Sequence, residues 1–122
     1  MNIEQNKLFS ALKELGVDVE GTVSRFMDND AIYTKFLLRF PNEDRITPVK
    51  EAAEANDPDA LMRAAHKLKG VSANLGMTSL SQKAEKIVSG IRNGETGGFD
   101  EDIAELEAEH ELICKAIREN TQ

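Results

Sequence analysis

Apolar residues recur at three- and four-residue spacing along almost the whole chain, and this pattern constrains the fold more than any other feature of the sequence. The C-terminal segment shows it most clearly, with a seam at 3,4,3,4 spacing formed by Ile103, Leu106, His110, Ile113 and Ile117. Such spacing places side chains on one helix face and is typical of an antiparallel bundle. No stretch alternates apolar and polar residues with β-branched enrichment, as a half-buried strand would. The sequence therefore predicts an all-α fold.

In the first half of the chain, the sequence predicts short helices that are separated by turn residues. The segment from Asn2 to Leu15 ends at Gly16, a glycine suited to a helix C-terminus. Asp18 is the expected N-cap of a helix that runs to Phe26. Asp30 is the expected cap of a third helix, and its apolar side is predicted to consist of Ile32, Phe36, Leu37 and Phe40.

Two prolines interrupt the segment that follows, and the sequence leaves two interpretations of it. Pro41 and Pro48 are compatible with one kinked helix that continues to Ala55. They are equally compatible with a new helix that has Thr47 as its N-cap and Pro48 in its first position.

The second half has clearer boundaries. Asp57 and Pro58 predict the start of a helix that runs to about Leu75 and ends at Gly76. Ser79 and Gln82 form a capping-box pattern for the next helix. A glycine-rich loop at 93–99 separates it from the last helix, which starts at Asp100. We expect an up-and-down antiparallel four-helix bundle with one or two short additional N-terminal helices. Its 122 residues are the size of one domain.

Charge is distributed unevenly around a net value of −7. Residues 1–94 carry 13 basic and 13 acidic side chains, whereas residues 95–122 carry 2 basic and 9 acidic ones. Within 62–92, six basic side chains stand against Glu85 alone. The acidic balance argues against nucleic acid or an anionic membrane as the partner. The basic stretch suits a small anion such as a phosphoryl group; two solvated helix faces of opposite sign are the alternative.

The single cysteine favours a reducing compartment. Cys114 is the only cysteine, so no internal disulfide is possible. No apolar run reaches the ~20 residues that span a bilayer, and the N-terminus lacks a signal-peptide pattern. We expect a cytoplasmic monomer in which Cys114 and His110 are structural. Two histidines and one cysteine at these spacings predict no metal site.

The 57–75 helix carries the residues that suggest chemistry. At 100° per residue its leucine stripe lies nearly opposite His66, so we expect His66 to face solvent. Gly70 lies one turn later on the same face, although glycine costs about 1 kcal/mol in a helix relative to alanine. Lys69 can place an ammonium beside whatever His66 carries. The three residues indicate a nucleophile for phosphoryl groups; a surface histidine beside an incidental glycine is the alternative.

The segment Ala65–Gly76 resembles the signature H-x-L-K-G-x-S-x-x-x-G of histidine-containing phosphotransfer (HPt) domains, and all its fixed positions match. The resemblance covers about 17–118, with 1–16 as an additional N-terminal helix, and it implies a single HPt-like domain over 1–122. It implies that His66 is phosphorylated on its outer ring nitrogen. Lys69 would stabilise the phosphoryl charge, and Gly70 would leave room for a receiver domain.

The same resemblance assigns expected roles to neighbouring residues. Ala73 would keep the docking face clear, and Gly76 would permit tight helix packing or the helix exit. Lys67 and Met62 would complete the docking face. Glu85 is the carboxylate that could hold the inner nitrogen of His66, although it could instead pair only with Lys69 or Lys86.

The function implied by the resemblance is that of a phosphorelay intermediate. His66 would accept a phosphoryl group from a receiver-domain aspartate, or from a sensor kinase, and pass it to a response-regulator aspartate. The protein would be a phosphotransfer protein rather than an ATP-dependent kinase. It would need no cofactor, because the Mg²⁺ would belong to the partner receiver. The alternatives are a non-catalytic helical adaptor that binds receivers, or the phosphoacceptor domain of a chemotaxis-type kinase; we expect a free-standing module.

Overall fold

A computed structural model describes residues 3–121, with side chains from residue 5 onward. All regular structure in this range is helical, which confirms the all-α bundle. The helices are α1 (Ile3–Glu14), α2 (Val19–Arg25), α3 (Asp30–Arg39), α4 (Ile46–Glu54), α5 (Pro58–Asn74), α6 (Thr78–Arg92) and α7 (Asp100–Glu119), with a 3₁₀ turn at Phe40–Asn42. Within the described range, α5, α6 and α7 have 15 to 20 residues and the other four have 7 to 12. The 3₁₀ turn separates α3 from α4, and both of these helices are short.

Helices α5 and α6 form the central antiparallel hairpin. Lys69 near the end of α5 pairs with Glu85 in the middle of α6, and Ser81 of α6 donates to the Lys69 carbonyl. Helix α7 runs antiparallel to α6, with Lys83 and Glu109 paired across that interface. Helix α4 contacts both α5 and α7, and α1 packs on α7. One hydrophobic core joins all seven helices. None of the described helices is long and apolar enough to cross a membrane.

The end of α5 is held by α2 and α3. Gly76 has φ +79°, a conformation that favours glycine, and its carbonyl accepts a 2.8 Å hydrogen bond from the Asp18 amide. A Cβ at Gly76 would overlap the Thr22 hydroxyl and lie 2.6 Å from the Asp18 carbonyl oxygen. The buried Tyr33 hydroxyl donates to the Leu75 carbonyl at 2.8 Å. Gly76 thus serves both the helix exit and close packing, the two uses that the sequence left as alternatives.

Several predicted helix boundaries are confirmed, and the predicted cap of α3 is wrong. The Asp18 carboxylate accepts from the Gly21 amide, and Asp57 accepts from the Ala60 amide in front of Pro58. The cap of α3 is Asn29, whose side chain accepts from the Ile32 amide at 3.0 Å. Asp30 was expected in that position but is the first helical residue, because Asn29 has the extended backbone that a cap requires.

The segment at 41–55 contains a new helix rather than one kinked helix. The helix starts at Ile46, two residues before the predicted first position at Pro48, and the Asp44 carboxylate accepts from the amides of Ile46 and Thr47, both at 3.0 Å. Pro48 therefore lies at the third helical position, where no intrahelical amide bond is lost.

The capping box predicted for α6 is not formed. The helix begins at Thr78, before Ser79, and the Ser79 hydroxyl donates to Glu109 of α7 at 2.8 Å. The Ser79 side chain thus bonds to another helix, and no side chain caps the start of α6.

Helix α3 is rotated relative to its predicted apolar side. Tyr33, Leu37 and Phe40 are buried, whereas Ile32 and Phe36 are 44% and 42% exposed. The hydrogen bond from the Tyr33 hydroxyl to the carbonyl of Leu75, the C-cap of α5, fixes this rotation and leaves Phe36 at the surface.

Candidate functional site

Helix α5 presents His66 to solvent. Its buried positions are Leu61, Ala65, Leu68 and Ser72, which repeat at three- and four-residue spacing and turn the opposite face outward. His66 is exposed, and its ring forms no hydrogen bond with any residue between 3 and 121. The imidazole is therefore free to react with a molecule that approaches from outside.

One turn beyond His66, the surface of α5 is formed by the small residues Gly70 and Ala73. Gly70 is exposed, and a Cβ built on it would have no neighbour within 4 Å. Its φ is not positive, so neither backbone conformation nor internal packing requires glycine there. Ala73, also exposed, continues the bare strip. Glycine weakens a helix by about 1 kcal/mol relative to alanine, and no contact within the described residues accounts for that cost at Gly70.

Lys69 reaches toward α6. Its ammonium nitrogen lies 2.6 Å from Glu85 Oε2, and the other carboxylate oxygen accepts from the Ser89 hydroxyl at 2.8 Å. The hydrogen bond from Lys69, followed by that from Ser89, holds the pKa of Glu85 below its usual range. Across the described residues Glu85 forms no hydrogen bond to His66. The geometry thus matches one of the alternatives left by the sequence, pairing of Glu85 with Lys69.

Two hydroxyl groups support the backbone beneath Lys69. Ser72 is fully buried and donates to the Leu68 carbonyl at 2.6 Å. Ser81 of α6 donates to the Lys69 carbonyl at 3.2 Å. The serine of the α5 signature therefore has a structural role within its own helix. Ser81 was not singled out from sequence, because only the hairpin brings it beneath Lys69.

Residues 41–116 match the family model described as the Hpt domain, which is more than half of the chain and includes the whole His66 site. The chain belongs to the Hpt domain family. Hpt domains carry out phosphotransfer in two-component phosphorelays and interact with receiver domains. The searches of curated proteins and of solved structures gave no significant match.

In this Hpt domain the flanks of His66 differ in their exposure. Lys67 is exposed, and its ammonium lies 3.2 Å from Glu43 Oε1. The Lys67 hydrogen bond, followed by the charge of Arg45, lowers the pKa of Glu43. Met62 is only half-buried and packs against the core. Both lie on the face that the sequence assigned to partner docking.

The basic stretch of residues 62–92 is largely neutralised in the fold. Four of its six cations are paired, as Lys67–Glu43, Lys69–Glu85, Lys83–Glu109 and Lys86–Asp102. Arg63 and Arg92 form no ion pair within the described part of the chain. Two of the four carboxylates, Asp102 and Glu109, come from α7, so the acidic C-terminal helix packs on the lysines of α6. Within the described part of the chain, this stretch therefore does not form an isolated basic patch.

A groove of 610 Å³ lies on the Lys67 flank of α5, between α2, α3 and the C-terminal part of α5. Its aromatic lining consists of Phe26, Phe36 and Phe40, and Arg25 and Arg39 stand at its rim beside Asn74. Sequence reasoning missed this groove because it assigned Phe36 to the core. The signal present in the sequence was Tyr33, which lies one position after Ile32 and has helical spacing to Leu37 and Phe40.

His110 and Cys114 are buried beneath the 3₁₀ turn. The His110 ring packs 5.0 Å from the Phe40 ring, and its Nδ1 lies 3.7 Å from Cys114 Sγ. Burial lowers the pKa of His110 and raises the pKa of Cys114 to about 11. A neutral imidazole and a protonated thiol suit a packing role. Among the described residues no group of three or more metal-binding side chains is arranged around an ion.

Proposed function

We propose that this Hpt domain is a phosphorelay intermediate that carries the phosphoryl group on His66. It accepts the group from a receiver-domain aspartate, or from a sensor kinase, and passes it to a response-regulator aspartate. The observation that carries the proposal is the exposed, unbonded His66 ring beside the bare surface at Gly70.

The transfer step requires few groups from this chain. The lone pair of the outer ring nitrogen of His66 attacks the phosphorus, an N–P bond forms, and the P–O bond to the donor aspartate breaks. The aspartate leaves as a carboxylate, and the reverse sequence delivers the group to the next aspartate. Lys69, three residues along the helix, balances the charge on the phosphoryl oxygens. Positioning and charge stabilisation supply most of the catalysis in such transfers.

The partner surface is proposed to be the strip around Gly70 and Ala73, flanked by Lys67 and Met62. A receiver backbone can approach this strip because no side chain projects from Gly70. The neighbouring groove, with Phe36 exposed at its edge, offers apolar area for the same partner. The Mg²⁺ of the reaction belongs to the receiver. The whole chain is proposed to work as one cytoplasmic, monomeric unit without ATP-dependent activity.

The proposal is tested by incubating the protein with phosphorylated receiver domains. We expect acid-labile, base-stable phosphate on the chain, as a phosphohistidine requires. His66→Gln should abolish labelling with a stability change under ~0.5 kcal/mol, because the side chain is exposed. Phosphate that persists in this variant, or that maps to His110, would overturn the assignment.

A further inference from the structure

Among the described residues the ammonium of Lys69 has one anionic partner, Glu85, and it would acquire a second when His66 is phosphorylated. We propose that Glu85 is a positioning residue that holds Lys69 in a resting place on α6 and releases it to the phosphoryl group. This inference rests on the proposed function of His66. Its consequence is that Glu85 limits the stability of phospho-His66 and keeps the phosphoryl group transferable.

The contacts around Lys69 define the resting place. Its nitrogen lies 2.6 Å from Glu85 Oε2, and the Ser89 hydroxyl holds Glu85 Oε1 at 2.8 Å. Ser89 therefore holds the carboxylate on α6 through the oxygen that does not contact Lys69. The Lys69 and Glu85 side chains are 34% and 36% exposed, whereas the contacting oxygen, Glu85 Oε2, is itself buried. The lysine can therefore leave toward solvent, and its departure would leave a buried anionic oxygen without its cation.

The position of His66 makes the exchange possible. His66 and Lys69 are three residues apart on α5 and are therefore neighbours on its surface. Glu85 approaches Lys69 from the other helix, and no hydrogen bond between Glu85 and His66 is present in the described part of the chain. A flexible lysine side chain can thus turn from one anion to the other without a change in the backbone.

The difference in charge between the phosphoryl group and the Glu85 carboxylate determines which of them Lys69 binds. A phosphoryl group carries about −1.5 to −2 charges and three strong acceptor oxygens, whereas the carboxylate carries one charge. The ammonium should therefore move to the phosphoryl group once it is present. The Glu85 carboxylate is then left without its cation, and this loss offsets part of the stabilisation that Lys69 gives to phospho-His66.

The release of Lys69 can be followed at Glu85 itself. Phosphoramidate is used to load His66: an N–P bond forms at the imidazole, the P–N bond of the reagent breaks, and ammonia leaves. Carboxyl ¹³C NMR then follows the titration of Glu85 before and after loading. We expect the pKa of Glu85 to rise toward its ordinary value on loading, and to rise much less in Lys69→Ala. An unchanged titration in the wild-type protein that carries phosphate on His66 would overturn the inference.

A competition experiment measures the consequence for the phosphoryl group. Phosphorylated wild-type protein is mixed with ¹⁵N-labelled Glu85→Gln and a trace of a receiver that exchanges phosphate with it, and intact mass spectrometry gives the equilibrium partition. We expect the variant to hold at least three times as much phosphate. Ser89→Ala should shift the partition in the same direction by a smaller factor.

Glu107→Gln is the matched control for this competition. It removes the same charge from a carboxylate that pairs with Lys50 at 3.1 Å across the α4–α7 interface and forms no contact with Lys69. We expect equal partition between this variant and the wild type. In a second mixture, the Lys69→Ala variant competes with the double variant that carries both Lys69→Ala and Glu85→Gln. We expect the ratio of phosphate on the two proteins to be below two. A ratio of three or more in that background would show that Glu85 does not act through Lys69, and equal partition in the first mixture would also overturn the inference. Failure to phosphorylate His66 at all would instead refute the proposed function.

Discussion

Replacement of Gly70 by glutamine should separate the stability of the isolated helix from the fit of a partner. No atom lies within 4 Å of the position that a Cβ would take, so the new side chain enters open space. Glutamine is a better helix former than glycine by roughly 0.5–0.9 kcal/mol. For a chain of 122 residues this corresponds to a rise in Tm of about 2–4 °C.

The same side chain should obstruct a docked receiver. Overpacking at a close contact costs typically ~1–3 kcal/mol, and ~1.4 kcal/mol corresponds to a tenfold change in rate. We therefore expect Gly70→Gln to accept phosphate from a receiver at least tenfold more slowly than the wild type. Thermal melts and a transfer time course on one preparation give both quantities. Ala108→Gln adds the same side chain to an exposed position of α7 and should leave the transfer rate unchanged.

Either of two results would refute this reasoning. Transfer at the wild-type rate in Gly70→Gln would mean that no partner backbone approaches this turn of α5. A lower Tm would mean that Gly70 contributes to internal packing, in conflict with the open space beside it.

Three further predictions concern Lys69, Gly76 and His110. Lys69→Ala should slow phosphotransfer while the helical circular dichroism signal is retained, and unchanged transfer kinetics would reduce Lys69 to a surface charge. Gly76→Ala should destabilise the fold by about 2–4 kcal/mol in urea unfolding, because the positive φ is unfavourable for alanine and its Cβ would meet the Asp18 carbonyl. Burial, followed by the Arg45 charge, depresses the pKa of His110, while Asp44 and Glu111 raise it and Arg118 lowers it. The unfolded chain therefore binds the proton of His110 more readily than the folded chain does. The stability that neutral His110 contributes is fully present above about pH 6.5 and is lost as the pH falls through the folded pKa. Urea unfolding across this pH range should show the loss in the wild type and in His66→Gln but not in His110→Gln.

Local rules were sufficient for most of the helices and for the face that carries His66. Asp18, Asp57 and Pro58 act on amides within the next few residues, so their effect is visible in the sequence. The spacing of the leucines in α5 likewise determines which side is buried and leaves His66 and Gly70 outside. These features depend on neighbours along one helix and can be predicted without knowledge of the other helices.

Features that depend on contacts between helices were decided only by the tertiary structure. Glu85 lies beside Lys69 because the α5–α6 hairpin sets their register, and Ser89 then orients its carboxylate. Ser79 bonds to Glu109 of α7 instead of capping its own helix. The sequence by itself determined the amphipathic helices and the exposed signature face, because both follow from spacing along the chain. The rotation and register of the packed helices decided which polar groups pair across the bundle and which aromatic ring is left at the surface. The sequence could not decide these points, because several candidate partners satisfy the same local pattern.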